Sequence, residues 1–91
     1  MRVAVQIIVS GRVQGVGYRY FAEKNARACD ICGYVKNLYD GRVEVVAEGI
    51  KEQVDAFIDR LKQGPVFGNV DRVEVRSLPY ENRYDSFHVA Y

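Results

Sequence analysis

The chain has no tryptophan, one histidine, one methionine, two prolines and two cysteines. Two cysteines allow at most one disulfide, which excludes a small secreted scaffold held by several staples. Two prolines and eight glycines in 91 residues are too few for a fibrous or low-complexity chain. An excess of one charge is missing too, since 13 basic and 12 acidic side chains leave a formal net charge of +1. Nucleic acid and anionic membranes both recruit a large basic excess, so neither is expected as a partner. No apolar run nears the roughly 18 residues of a membrane-spanning helix. The opening Met1-Arg2-Val3-Ala4-Val5-Gln6-Ile7 alternates like a strand and lacks a signal-peptide layout. What is present is apolar matter, 48% of residues, enough for a core. The expectation is one domain over residues 1–91, soluble, cytoplasmic and monomeric.

Val3, Val5, Ile7 and Val9 share one face of a period-two pattern, with Ala4, Gln6 and Ile8 on the other. That predicts a strand buried more on its first face. A glycine-rich stretch, 10–17, follows. Tyr18, Phe21, Ala22, Asn25, Ala28, Cys29 and Cys32 then recur at helical spacing and predict a helix over 18–32, stopped by Gly33. Segments 34–39 and 42–48 read as strands joined at Asp40-Gly41, a two-residue hairpin signal. Val43, Val45 and Ala47 point inward there, Arg42, Glu44 and Glu48 outward, and Gly49 is expected to break the strand. Ile50, Val54, Phe57, Ile58 and Leu61 form the apolar stripe of a second helix, ended by Gly64-Pro65. Val70, Val73 and Val75 belong to a strand over 69–78 that Pro79 stops. Phe87, Val89 and Tyr91 alternate in a last short strand. The order βαββαβ plus a terminal strand is α+β. Two helices on one face of an antiparallel sheet, the ferredoxin-like split βαβ arrangement, connect it with short loops. Many unrelated functions use that architecture, so the fold by itself names none.

The residues that could carry chemistry are few. Gly11-Arg12-Val13-Gln14-Gly15-Val16-Gly17-Tyr18-Arg19 lies between the first strand and the first helix. Glycines let the backbone curl with its amides inward, and a helix N-terminus after such a nest favours an anion. Arg19 falls in the first helical turn, where the helix dipole disfavours a cation unless its planar fork clamps an anion. A tight turn with a surface arginine fits the same residues. Asn37 lies within the second strand, where asparagine is disfavoured. Its amide can hold a water or a phosphate oxygen, or bond the adjacent turn, and it cannot act as a base. Cys29-x-x-Cys32 near a helix C-terminus is badly placed for a reactive thiolate, and with one histidine it is short of zinc ligands. It reads as two small core residues. His88 faces away from Phe87 and Val89 and reads as a surface residue. The seven tyrosines are scattered singly, unlike a base-stacking surface.

The loop Gly11 to Arg19 resembles the signature loop of the acylphosphatase family. Gly33-Tyr34-Val35-Lys36-Asn37, followed by Gly41-Arg42-Val43-Glu44 and Gly49, resembles that family's other signature at the right separation. The resemblance covers essentially the whole chain. It implies a ferredoxin-like fold and hydrolysis of an acyl phosphate to a carboxylate and inorganic phosphate, without metal or other cofactor. It further implies that the amides of Gln14, Gly15, Val16, Gly17 and Tyr18, together with Arg19, bind the phosphoryl group, and that Asn37 positions the attacking water. Phosphate or sulfate would then compete for the same nest. Tyr34 stands where tryptophan is commoner, and Cys29 and Cys32 lie outside both signatures. A binding module of the same fold, without catalysis, is the alternative. A metal carrier of that kind would need its C-x-x-C in the loop after the first strand, where this chain has its glycines.

Overall fold

The computed structural model describes residues 1–91. The alternating first segment forms β1, Arg2–Arg12, and the elements that follow are α1, Tyr18–Ala28; β2, Cys32–Asn37; β3, Val43–Ile50; α2, Lys51–Gln63; β4, Asn69–Leu78; and β5, Phe87–Val89. The sheet order is β4-β1-β3-β2-β5. β3 pairs antiparallel with both β1 and β2, and β4 pairs antiparallel with β1. β5 runs parallel to β2, so the sheet is mixed, where an antiparallel one was expected. Residue alternation reports which face a side chain takes and carries no information on strand direction.

Both helices cover one face. Val5, Ile7 and Val9 of β1, Val35 of β2 and Val43, Val45 and Ala47 of β3 meet Tyr18, Ala22 and Ala26 of α1 and Val54, Phe57 and Leu61 of α2. The inward residues of β1 and β3 and the interior of the α2 stripe lie where the sequence pattern puts them. Val70 and Val73 both pack on this core despite their odd spacing, because the β1–β4 register shifts between Ser10 and Gly11. A bulge of that kind inserts one residue and restores the inward phase.

Several expected boundaries differ. α1 ends at Ala28, and Cys32 opens β2. The chain reverses through Asp30, whose φ is +56°, after Cys29 has closed the helix. Its buried stripe is Tyr18, Ala22 and Ala26, whereas Ala28 is exposed. Gly33 is a strand residue, not a helix stop: at φ +142° it lies so close to β3 that a Cβ would collide with the Val46 carbonyl. Gly49 pairs with Val3 inside β3 and breaks nothing. Ile50 is the residue before α2, outside its buried stripe. The 38–42 connection closes with Leu38 N donating to Arg42 O and Gly41 N to Leu38 O, a loop one residue longer than the expected hairpin.

The open face of the sheet is not simply solvated. Glu44 accepts hydrogen bonds from Gln6 Nε2 at 2.8 Å and Tyr34 OH at 3.0 Å. Burial, and then that bond to Glu44, pushes the Tyr34 phenol up to about 12. Glu48, expected outward in solvent, does face this side but is only 5% exposed. Its Oε1 accepts from the amides of Arg83 at 2.9 Å and Tyr84 at 3.3 Å, so it anchors the loop between β4 and β5. No helix is long and apolar enough to cross a membrane.

Gly33→Ala tests the close approach of β2 to β3. It is expected to cost roughly 3 kcal/mol or more, since both the φ and the backbone contact oppose a side chain. The urea unfolding midpoint reads this directly, and an unchanged midpoint would mean that β2 can shift away from Val46.

Candidate active site

β1 and β2 run parallel to one another with β3 between them. Val9 and Asn37 both pair with Val43, so the C-terminal ends of β1 and β2 reach the same edge of the sheet, one on each side of β3. The loop leaving β1 and the asparagine ending β2 therefore meet, a proximity the sequence alone does not contain. Gln14 ties them together. Its Nε2 donates to the carbonyl oxygens of Leu38 at 2.8 Å and Arg42 at 2.9 Å, clamping the loop to the β2–β3 turn. The outer side of that turn is held by Asp40, whose carboxylate accepts from the Arg42 amide and guanidinium. The bond from the Arg42 amide, foremost, holds the Asp40 carboxyl below its usual range.

The loop itself has an unusual hydrogen-bond account. Val13 N donates to Gly11 O, and the next backbone amide with a protein acceptor is Phe21 N, bonded to Gly17 O. From Gln14 through Tyr20, no backbone amide donates to a protein acceptor. Gly15 and Gly17 are both left-handed, at φ +74° and +79°, while a Cβ on either would meet open space. The glycines are thus required by the curl of the backbone, not by crowding. Gly17 caps α1 with no side-chain acceptor, and no acidic residue occupies the first turn. The helix N-terminus keeps its free N–H groups and its positive end uncompensated.

One cavity of about 340 Å³ is lined by Gly15, Gly17, Tyr18, Arg19 and Asn37, together with Val13, Tyr20, Glu23, Val89 and Tyr91. The structure thus brings five of the seven expected site residues to one wall. Arg19 forms no ion pair and donates no hydrogen bond to the protein. Its guanidinium lies 4.9 Å from the centroid of the Tyr91 ring, a cation–π contact that steadies the fork without using its donors. Asn37 Oδ1 is buried and has no hydrogen-bond partner. The other two expected residues lie behind the wall. The Gln14 side chain is the clamp just described, and Val16 packs partly against the core. The Tyr18 phenol is core as well. It donates to Leu61 O at 2.8 Å, and burial pushes its pKa up, leaving only its amide for the cavity.

Tyr91, Tyr20 and Glu23 were missed as lining residues. Tyr91 could be placed by alternation in the last segment, but nothing in a sequence says which ring an arginine will reach. Glu23 is paired with Arg27 at 3.3 Å. Cys29 is buried and Cys32 half-buried, both as free thiols, so the small-core reading holds for the first and partly for the second. His88 is exposed, as expected, with its ring 6.5 Å from that of Tyr34. No group of three or more His, Cys, Asp or Glu side chains is arranged to hold a metal ion.

The model of the acylphosphatase family matches residues 5–89. The chain is similar to an acylphosphatase of Archaeoglobus fulgidus, 51% identical over 89 residues, which cover 98% of this chain and 99% of the relative. It is 58% identical over 69 residues to an acylphosphatase of Thermus thermophilus, with 76% and 78% of the two chains covered. Among solved structures, the crystal structure of acylphosphatase from Bacillus subtilis superimposes with a TM-score of 0.94 at 38% identity, covering 100% of both chains.

The Gln14 clamp carries a prediction of its own. Gln14→Ala leaves two carbonyls without their donor and is expected to cost about 1–3 kcal/mol. Gln14→Glu is expected to cost more, because a carboxylate faces two acceptors. Thermal unfolding of the pair reads both, and a Glu variant as stable as wild type would show that the clamp does not hold the loop.

Proposed function

The chain belongs to the acylphosphatase family, and from that premise we propose that it holds the phosphoryl group of an acyl phosphate on the loop amides and Arg19, with water oriented by Asn37. The observation that carries the reading is the run of unpaired amides from Gln14 to Tyr20, five of whose residues line one cavity with the unpaired Arg19 guanidinium and with Asn37, whose Oδ1 is buried without a partner. A run of donors without protein acceptors, beside a buried oxygen without a donor, is suited to a ligand that brings acceptors and a water that brings a hydrogen. A phosphoryl group brings three oxygens. The helix N-terminus, the nest and one guanidinium are all complementary to its charge.

The chemistry follows from the substrate. An acyl phosphate is a mixed anhydride whose carboxylate leaves readily, and in-line displacement passes through a loose state with charge on the equatorial oxygens. Fixed amides and Arg19 stabilise that charge without rearranging. Asn37 Oδ1 is an acceptor for one hydrogen of the water and so fixes its oxygen toward phosphorus. The water oxygen forms its bond to phosphorus as the bond to the acyl oxygen breaks. The carboxylate departs with the electron pair, and the water's proton passes to a phosphoryl oxygen. The reading uses no metal, cofactor or second chain, and it places the whole reaction within one domain over residues 1–91. Inorganic phosphate and sulfate compete for the nest.

Arg19 and Asn37 separate in a paired experiment. Arg19→Ala is expected to weaken phosphate inhibition and lower turnover together, with no rescue by lysine, whose single ammonium lacks the fork. Asn37→Ala is expected to cut turnover by roughly 10²–10³ while phosphate inhibition stays within a few-fold. Because its oxygen is buried without a partner, Asn37→Ala should lose no stability. Asn37→Ala that abolishes phosphate inhibition yet turns over normally at saturation would reverse the two roles. Exhaustive chelation should leave turnover intact, and a loss restored by magnesium or zinc would remove the mechanism.

A further inference from the structure

Asn37 lies between two cavities. The second, of about 430 Å³, is lined by Lys36, Asn37, Leu38, Tyr39 and Tyr91, so it meets the first at Asn37 and Tyr91. It exists because β5 stops short. Ala90 N donates to Val35 O, and beyond that bond β2 continues through Asn37 with no strand along its outer edge. The wall on the far side is Leu38 and Tyr39 at the start of the β2–β3 turn, whose backbone is fixed by the Gln14 clamp and the bonds between Leu38, Gly41 and Arg42. Tyr39 and Tyr91 are the two most exposed large apolar side chains of the molecule, and both stand at this cavity.

In-line displacement needs two opposite approaches to phosphorus, one for the nucleophile and one for the leaving group. A phosphoryl group seated on the amides fills the first cavity, and the acyl group leaves on the side away from Asn37. Water that reaches Asn37 after the substrate has bound must arrive from the Asn37 side. We infer that the second cavity is the nucleophile's entrance, through which water reaches Asn37 behind a bound substrate, with Leu38 and Tyr39 as its rim. This rests on the assignment of Asn37 to the water. It gives the site two mouths, one that admits and releases the acyl phosphate and its products, and one that stays open to solvent while the first is full.

The test narrows the second mouth step by step. In a Cys29→Ala/Cys32→Ala background, Leu38→Cys supplies one thiol on the cavity wall. Turnover of benzoyl phosphate and of acetyl phosphate, and inhibition by inorganic phosphate, are measured before and after labelling with methyl, benzyl and larger methanethiosulfonates. They are measured again after reduction removes the label. The expected result is a kcat that falls with adduct size, by about tenfold or more for the largest. The fall should be similar for both substrates, phosphate inhibition should stay within about twofold, and reduction should restore kcat. Tyr39→Cys in the same background gives a second reading if the first variant does not fold. A kcat indifferent to every adduct overturns the inference. So does a change confined to KM or to one acyl group, which would assign the cavity to the acyl group instead. Asn37→Ala separates the two levels. If it is slow and the adducts are silent, the mechanism stands and the second entrance falls. If it turns over normally, the assignment of water to Asn37 fails, and the entrance with it.

Discussion

β3 lies between β1 and β2, and everything at the site depends on that insertion. It makes the two flanking strands parallel to each other and brings their C-terminal ends to one edge of the sheet, about two strand spacings, or roughly 10 Å, apart. A loop of a few residues from β1 can cross that gap and begin α1 directly over the end of β2. The crossing is secured by one side chain, Gln14, which occupies both of its donors on the carbonyls of Leu38 and Arg42. The glycines supply the curl of the loop, and Gln14 supplies its position relative to Asn37.

The site collects features that a fold selected only for stability would avoid. Seven consecutive amides, from Gln14 to Tyr20, lack protein acceptors. A helix begins without a capping side chain and with a cation in place of an acid in its first turn. A buried amide oxygen has no donor. The missing cap, the cation at the positive helix end and the buried orphan oxygen are each unfavourable by an amount of order 1 kcal/mol. Together they share one sign, in that each is relieved by a group offering negative charge and acceptors or by a water offering a hydrogen. Local rules are broken most often where function requires it, and here the breaches converge on one cavity while the helix-covered face of the sheet stays regular. Tyr18 marks the boundary between the two regimes. Its amide belongs to the free wall, and its phenol is fixed in the core on Leu61 O.

Legibility in the sequence followed the same boundary. The inward faces of β1 and β3 and most of the α2 stripe could be read because burial on one side imposes a period, and β4 because Pro79 marks its end. The glycine loop, Arg19 and Asn37 stood out as residues ill-suited to their local structure. What could not be read depends on partners far along the chain. Gly33 resembles a helix stop until the Val46 carbonyl is placed against it. Glu48 looks solvated until the amides of Arg83 and Tyr84 close over it. The parallel direction of β5 is set by where the loop from β4 delivers the chain, and alternation is blind to it. The clamp made by the Gln14 side chain went unread for the same reason. The residue's position in the signature drew attention to the loop, but its side chain acts on a turn twenty-four residues away.

If the reaction takes place where we propose, the charge at the site limits what it can hydrolyse. The first cavity is lined by one guanidinium, by amides and by the exposed tyrosines Tyr20 and Tyr91, and its one acidic side chain, Glu23, is paired with Arg27. No histidine or lysine lines it. On the proposed reading, such a site stabilises charge that stays on the phosphoryl oxygens, and without a histidine, lysine or free carboxyl it offers only weakly acidic phenols to a leaving group that needs a proton. A carboxylate leaves as the conjugate base of an acid with pKa about 4, so it departs unaided at neutral pH. The alkoxide of an ordinary phosphate ester is a far stronger base and needs a general acid to leave. Selectivity for acyl phosphates over phosphate esters then requires no pocket for the acyl group. On the proposed reading it follows from providing charge stabilisation and an oriented water while giving the leaving group little help with its proton. The proposed mechanism would then treat an apolar and a polar acyl group alike, so long as the carboxylate can depart.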